Sequence, residues 1–113
     1  MTMQNNPELV ITYKGERREL VCSPHAMMVV GKREGSVAKL VRDIQSEDFD
    51  AYAFVVRAAL NVNDNDTVIA EQLFNNGGMF SVAGTFITYL GLLRFGGKLP
   101  DDVEAEESGE GKH

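Results

Sequence analysis

The amino-acid sequence predicts an α+β fold: an N-terminal β-hairpin, then four to five short α-helices in a small helical domain, and a disordered acidic C-terminal tail. Two observations predict this order. Strand formers come first with a period of two, and apolar residues then recur every three or four positions. With 113 residues, of which 43% are hydrophobic, the chain can bury one core but not two. We therefore expect a flexible N-terminus at 1–8, a single domain at 9–96 and the tail at 97–113.

The segment "LVITYKGERRELVC" predicts a half-buried hairpin. Every second position of its two arms is apolar: Leu9, Ile11 and Tyr13, then Leu20 and Cys22. Between the arms, Lys14 and Gly15 predict a type I turn in which Gly15 takes the left-handed conformation.

Ser23 and Pro24 predict the start of the first helix. A serine hydroxyl can accept a hydrogen bond from a free backbone N–H, and proline at the first helical position has no N–H to leave unpaired. Gly35 predicts a left-handed stop, so this helix should run from about Pro24 to Glu34.

Two more helices should follow at once. We expect Ser36 to cap the second helix, whose apolar stripe is Val37, Leu40, Val41 and Ile44. In the third helix, Glu47, Asp48 and Asp50 should occupy the first turn, where the helix dipole favours negative charge. Its buried face should consist of Phe49, Tyr52, Ala53, Val56 and Leu60.

The polar run "NVNDND" separates these helices from the last two. Thr67 or Asp66 should cap a short helix over "VIAEQLFNN", which Gly77 and Gly78 end. The last helix should cover roughly Phe80 to Phe95, with apolar positions at Met79, Ala83, Phe86, Leu90 and Leu93. A second face carries only small side chains, which favours close approach of another backbone and hence a homo-oligomer: Ser81, Gly84, Thr85, Thr88 and Gly91.

The net charge of −6 is unevenly distributed along the chain. Residues 99–113 hold six acids and one base, which leaves eleven acids against ten bases, or −1, for residues 1–98. No basic stripe is present to neutralise phosphates, so nucleic acid is not expected as a partner. A single cysteine favours a reducing compartment, and the N-terminus lacks the pattern of a signal peptide.

One stretch invites a membrane interpretation. The nineteen residues from Asn75 to Leu93 carry no charge, close to the roughly 20 that span a bilayer. The stretch opens with Asn-Asn-Gly-Gly and contains several glycines and hydroxyl residues. We therefore expect a buried core helix and no membrane partner.

Several patterns resemble catalytic or metal sites without completing them. The loop "NVNDND" has asparagines at odd EF-hand positions, yet Asp66 replaces the glycine of position 6 and Gln72 the glutamate of position 12. Cys22 and His25 are three residues apart, but Cys22 fits a packed strand position better than a nucleophile. "NNGG" has neither the strand before it nor the Lys-Ser/Thr after it that a phosphate loop needs. We expect no enzyme, no cofactor and no metal.

Methionines and aromatic residues are used both in cores and on adaptable binding surfaces. Most of those in this chain are needed for the core. We expect one cluster, around Met79, Phe80 and Phe95, to form an exposed docking patch for a partner.

The order of elements from about Leu9 to Phe95 resembles the small tail assembly chaperones of long-tailed bacteriophages and gene transfer agents. The segments that carry the resemblance are "LVITYKGERRELVCSPHAMMVVGKREGSVAKLVRDI", "DAYAFVVRAAL" and "IAEQLFNNGGMFSVAGTFITYLGLL". Glu34 matches an acidic position that often precedes the glycine after the family's first helix. Earlier in that helix the family often has larger aliphatic residues, where this chain has Met27, Met28, Val29 and Val30.

The resemblance implies a non-enzymatic assembly factor in the host cytoplasm. Such a protein binds the helical, aggregation-prone tape measure protein, keeps it soluble, promotes tail tube assembly around it and is absent from the mature virion. A frameshift near the end of the gene often adds a second domain, through which the tail tube protein is bound. Gly97-Lys98 can be encoded by a slippery run, so this chain is compatible with two products. A minor structural or head-tail joining component, and a small cytoplasmic regulatory binding module, are the alternatives.

Overall fold

A computed structural model describes residues 9–97, and it confirms the α+β fold with the hairpin first. Five helices follow the two strands: β1 (Val10–Tyr13), β2 (Glu16–Glu19), α1 (Pro24–Lys32), α2 (Ser36–Gln45), α3 (Phe49–Leu60), α4 (Asp66–Asn75) and α5 (Met79–Leu93). The predicted flexible N-terminus at 1–8 and the acidic tail from residue 98 onward lie outside the described residues.

The hairpin turn differs from the predicted type. β1 and β2 pair antiparallel, with Tyr13 opposite Glu16. Lys14 and Gly15 both have positive φ angles, of 52° and 82°, so the turn is type I′ rather than type I. The twist of a type I′ turn matches the twist of the two strands, and this favours it in a two-residue connection even though Lys14 must then adopt a left-handed conformation.

Helix α1 begins as predicted. The Ser23 hydroxyl accepts a hydrogen bond from the Ala26 N–H at 3.0 Å, and Pro24 occupies the first turn. The helix ends at Lys32, two residues before the predicted end, because Arg33 is already extended (φ −75°, ψ 143°).

The predicted cap of α2 at Ser36 is wrong. Gly35, with φ of 80°, occupies the N-cap position, and its carbonyl accepts the hydrogen bond from Lys39 N–H at 3.1 Å. Ser36 is therefore already inside the helix, and no side chain caps the start of α2. The apolar stripe is as predicted, with Leu40 and Ile44 buried and its other members half-buried.

Two other residues at helix ends lie at positions that differ from the prediction. Glu47 does not lie in the first turn of α3; it is the left-handed residue that ends α2, with φ of 61°. Asp48 caps α3 by accepting a hydrogen bond from the Asp50 N–H at 3.1 Å.

The cap of α4 is Asn65, and neither Thr67 nor Asp66 takes that role. The Asn65 side-chain oxygen accepts from the Val68 N–H at 3.0 Å. A cap must lie outside the first helical residue, and α4 begins at Asp66, two residues earlier than the apolar pattern suggested.

Helix α3 is the centre of the core. It contacts α1, α2, α4, α5 and β2, so its burial extends well beyond the predicted face. Its buried residues are Ala51, Tyr52, Ala53, Val55, Val56, Ala58, Ala59 and Leu60. Phe49, which was predicted to be part of this face, is only half-buried at the helix start. The Tyr52 ring packs against Phe86 of α5 with ring centroids 5.7 Å apart.

One side of α5 completes the core. Its buried residues are Val82, Phe86, Tyr89, Leu90, Leu92 and Leu93. Of the predicted apolar positions, Met79 and Ala83 are only half-buried. The Tyr89 hydroxyl donates to the Val21 carbonyl at 2.7 Å and so ties α5 to the segment after the hairpin. Within residues 9–97, we find no helix that combines the length and the apolar character needed to cross a membrane.

The ends of α4 and α5 share one geometry. Gly77 and Gly96 are left-handed, and the following glycines donate to the helix: Gly78 N–H to the Leu73 carbonyl and Gly97 N–H to the Leu92 carbonyl, both at 2.8 Å. This is the Schellman arrangement, which satisfies carbonyls that would otherwise lack a partner. Gly97, which we expected to begin the tail, is thus packed as part of the α5 end.

Candidate docking surface on helix α5

The side of α5 that faces away from the core is uncharged. No charged residue occurs between Glu71 and Arg94. Positions three or four residues apart share one side of a helix, and on the outward side these are Phe80, Gly84, Thr88 and Gly91. We call these four residues the α5 outer stripe. Polar and charged residues are expected on the outer side of a surface helix, so this stripe is atypical.

Nothing in the described residues covers the middle of the stripe. A Cβ atom built on Gly84 or on Gly91 would meet no other atom within 4 Å. The glycines therefore leave two gaps in the stripe, separated by Thr88, with the 82% exposed ring of Phe80 at one end. A second backbone could approach α5 closely here, because small residues place no side chain in the way.

The structure separates the three residues predicted for docking. Phe80 is 82% exposed and Phe95 is 43% exposed. Met79 is half-buried and packs against the core. Phe80 and Phe95 are about 22 Å apart along the helix, at roughly 1.5 Å per residue, so they mark opposite ends of the α5 region rather than one patch.

Phe74 is a further exposed aromatic residue that the sequence reasoning missed. It lies in the last turn of α4 and is 79% exposed, on the other side of the Gly77–Gly78 turn from Phe80. The adjacent Leu73 is buried, as its spacing of four residues from the buried Ile69 indicates. That spacing was the available signal, since Phe74 falls outside it.

A second apolar surface lies near the start of the domain. Met27 and Met28 of α1 are about half-exposed. Met27 also lines a groove of about 410 Å³ between α1, α2 and the end of α5, whose other apolar walls include Val30, Val37 and Leu93. Arg94 borders this groove and also follows the last residue of the α5 outer stripe, Gly91, by three positions, whereas the rest of the stripe has no charge nearby in sequence.

Comparisons with protein-family models, curated proteins and solved structures found no match to this chain. Its function therefore has to be inferred from the residues themselves.

The suspected nucleophile pair has no geometry that activates it. Cys22 is half-buried, and burial, with a smaller effect of the nearby Glu19, raises the pKa of its thiol. The reactive thiolate is therefore disfavoured. His25 is exposed at the start of α1 and makes no hydrogen bond to Cys22. Among residues 9–97, no three His, Cys, Asp or Glu side chains lie close enough together to hold a metal ion.

The EF-hand-like loop is used for packing the hairpin. The Tyr13 hydroxyl donates to Asp64 Oδ2 at 2.6 Å, and Lys14 Nζ lies 3.1 Å from Asp64 Oδ1. Both oxygens of this carboxylate thus face β1 and its turn. Arg57 approaches the same loop, donating to the Asp64 carbonyl at 3.1 Å and to Asp66 at 2.7 Å. The loop joins α3 to α4 and docks the hairpin on them.

Proposed function

We propose that the protein is a tail assembly chaperone of a long-tailed bacteriophage or gene transfer agent, and that the α5 outer stripe binds helical segments of the tape measure protein. The observation that carries the proposal is an exposed helix face with no charge and with Phe80 82% exposed. By binding the tape measure protein in the host cytoplasm, the chaperone keeps it soluble while tail tube subunits polymerise around it. The chaperone is then absent from the finished particle.

The shape of the stripe supports a helical partner. Helices pack with axes about 8–10 Å apart, and the closest approach requires small side chains between them. Gly84 and Gly91 provide this on α5, with open space around both. The fifteen residues of α5 extend over about 22 Å, which accommodates roughly four turns of a partner helix. Phe80 then provides a large apolar contact at one end.

The modest size of the stripe supports reversible binding. Exposed aromatic anchors contribute most of the energy of a small interface, and here the strongly exposed ones are Phe74 and Phe80. A chaperone that leaves the assembled particle has to release its partner, so a small uncharged contact suits the task better than a large one.

The order of elements also supports the proposal. The hairpin, the two short helices, the central helix and the final helix pair follow the same order as in the tail assembly chaperones that the sequence resembles.

Co-expression tests the proposed binding directly. The tape measure protein of the same genome is produced with the wild-type chain, and its soluble fraction is measured. Phe80→Ser and Phe74→Ser should each lower that fraction, because they remove exposed apolar contacts without disturbing the core. Met28→Ser is the matched control, an exposed apolar residue on α1, and should leave solubility unchanged. A tape measure protein that is no more soluble with the wild-type chain than without it would contradict the proposal.

Mass spectrometry of purified virions distinguishes the chaperone from a minor structural or head-tail joining component. A chaperone should be missing from the particle. Detection of residues 9–97 at a fixed number of copies per virion would favour the structural alternative.

The nucleotide sequence tests the proposed longer product, which would also bind the tail tube protein. A slippery run at the codons of Gly97 and Lys98, with an overlapping frame, is expected. Gly96 and Gly97 also end α5 by a purely structural mechanism, so the glycines alone do not require a frameshift. Codons that cannot slip would remove this part of the proposal.

A further inference from the structure

The two edges of the hairpin differ in whether their outward backbone N–H and C=O groups are hydrogen-bonded. In a two-residue hairpin the residues flanking the turn exchange hydrogen bonds, so here Thr12 of β1 and Arg17 of β2 direct their backbone N–H and C=O outward. The next outward residue on β2 is Glu19, and Val21 follows at the same alternate spacing just beyond the strand.

The outer edge of β1 is closed at Thr12, next to the turn. The Thr12 N–H donates to the Asn76 side-chain oxygen at 3.0 Å, and the Thr12 carbonyl accepts from Asn76 Nδ2 at 2.7 Å. The Lys14 N–H donates to the Gln72 side chain at 2.7 Å. The side chains of Gln72, in the last turns of α4, and of Asn76, just after the helix, thus take the place of a neighbouring strand.

The outer edge of β2 is open at two residues. The Val21 N–H donates to the Ala59 carbonyl at 3.1 Å, which closes the edge where it reaches α3. No hydrogen bond within residues 9–97 involves the outward backbone groups of Arg17 or Glu19. A groove of about 660 Å³ runs beside this edge, between β2, the start of α1 and the end of α3.

The charges of β2 select what can pair with this edge. Its sequence is Glu16-Arg17-Arg18-Glu19, so the order of charges (negative, positive, positive, negative) is the same in both directions along the strand. Two copies can pair their β2 strands antiparallel, so that the outward backbone groups of each strand bond to those of the other. In one register of this pairing, Arg17 lies opposite the partner's Glu19, and the partner's Arg17 lies opposite Glu19. Shifting the register by two residues in either direction places Arg17 opposite the partner's Arg17, or Glu19 opposite the partner's Glu19. Like charges directly opposite each other are destabilising, so the first register is favoured on the solvent face, which Arg17 and Glu19 share.

We propose that the open edge of β2 binds the same edge of a second copy of this chain, through reciprocal pairing of Arg17 with the partner's Glu19. Each such pair exchanges backbone hydrogen bonds and joins opposite charges on the solvent face. The result is a continuous antiparallel sheet in the order β1-β2-β2′-β1′. This dimer uses no residue of the α5 outer stripe and does not depend on the function proposed above.

In this register, Arg18 is the one residue of β2 that lies opposite the same residue of the partner. Its side chain lies on the opposite face from Arg17 and donates to the Leu60 carbonyl at 3.2 Å. Leu60 ends α3, where the helix dipole is negative, so the guanidinium is held by its own subunit.

Charge exchange at Arg17 and Glu19 tests the dimer on the full chain. Sedimentation equilibrium of the wild type should show a mass that rises from 12.4 kDa toward twice that value with concentration. Arg17→Glu and Glu19→Arg should each weaken dimerisation at least about tenfold, because both pairs then bring like charges together. An equimolar mixture of the two variants should recover the affinity as a heterodimer, as should the double variant carrying both changes.

Glu16→Arg is the matched control. It makes the same charge change in the same strand, but the backbone groups of Glu16 are directed toward Tyr13, and its dimer should form as in the wild type. Thermal unfolding of each variant checks that the monomer remains folded. A wild type that stays monomeric up to about millimolar concentration, or single variants that leave the dimer intact, would overturn the proposal. So would a mixture that fails to recover, or a dimer lost on Phe80→Ser instead, which would locate self-association on α5.

Discussion

The side-chain amide of Asn76 pairs with the backbone of Thr12 in both directions, donating to its carbonyl and accepting from its N–H. Its second N–H donates to the Gln72 carbonyl at 2.7 Å, so both N–H groups of the amide are hydrogen-bonded. Asn76→Ala should lower the free energy of unfolding by about 1–2 kcal/mol, measured by urea denaturation. Asn75→Ala, at the neighbouring exposed position, should change it by less than about 0.5 kcal/mol. Equal effects of the two substitutions would show that Asn76 does not anchor the hairpin.

Glu47→Gly should stabilise the protein. Glu47 is left-handed (φ 61°) at the end of α2, where its N–H donates to Ile44 at 3.0 Å and the Asp48 N–H donates to Asp43 at 2.9 Å. This is the same arrangement that Gly77 and Gly96 make without strain. The expected gain in unfolding free energy is about 0.5–1 kcal/mol. Glu47→Ala, which keeps a Cβ atom, is the control and should give no gain.

Substituting alanine for the glycines of the α5 outer stripe should raise the stability of the protein and weaken its binding to the partner. Gly84→Ala and Gly91→Ala each place a methyl group in open space and remove the flexibility of a helical glycine. We expect each to raise the unfolding free energy by about 0.5–1 kcal/mol and, at the same time, to lower the soluble fraction of the co-expressed tape measure protein. Gly31→Ala in α1 is matched, since its Cβ also meets nothing, and should stabilise without affecting solubility. Unchanged solubility in the α5 variants would indicate that no backbone approaches the stripe.

Acid should weaken the contact between the hairpin and the loop before α4. The hydrogen bond from the Tyr13 hydroxyl, and then that from Lys14, lower the pKa of Asp64. A carboxyl group whose pKa is lower in the folded state stabilises the protein at neutral pH, and this stabilisation is lost as the pH falls below about 4. In urea denaturation between about pH 7 and pH 2, Asp64→Asn should be less stable than the wild type at neutral pH and should lose less stability on acidification. An unchanged pH dependence would contradict the assigned role of Asp64.

Features set by neighbouring residues could be predicted from the sequence. The start of α1 depends on Ser23, Pro24 and the N–H of Ala26, all within one turn, and it was predicted correctly. The cap of α2 was wrong because Gly35 and Ser36 are both left-handed, with φ of 80° and 52°, and the residue pattern does not indicate which of the two precedes the helix. The turn type was wrong because the preference for type I′ comes from the twist of the paired strands, and Lys14 alone does not indicate it.

Features set by distant contacts could not be predicted. The alanines of α3 are buried because four other helices and β2 surround it, and no pattern within α3 contains that information. The same holds for the candidate surface. Of the adjacent residues Met79 and Phe80, only Phe80 points outward, and this depends on how the Gly77–Gly78 turn directs α5 into the domain. Partner binding by Met79, Phe80 and Phe95 stays a prediction.

The closure of β1 by Asn76 sets an order of events during synthesis. Thr12 leaves the ribosome first, and the residue that covers it is 64 positions behind. At roughly 5–20 residues per second, about 3–11 seconds separate the synthesis of Glu19, the last residue of the hairpin, from that of Asn76. During that interval both of its edges are available to other nascent chains on the same messenger RNA, and crowded polysomes are where mispaired strands of this protein would first accumulate.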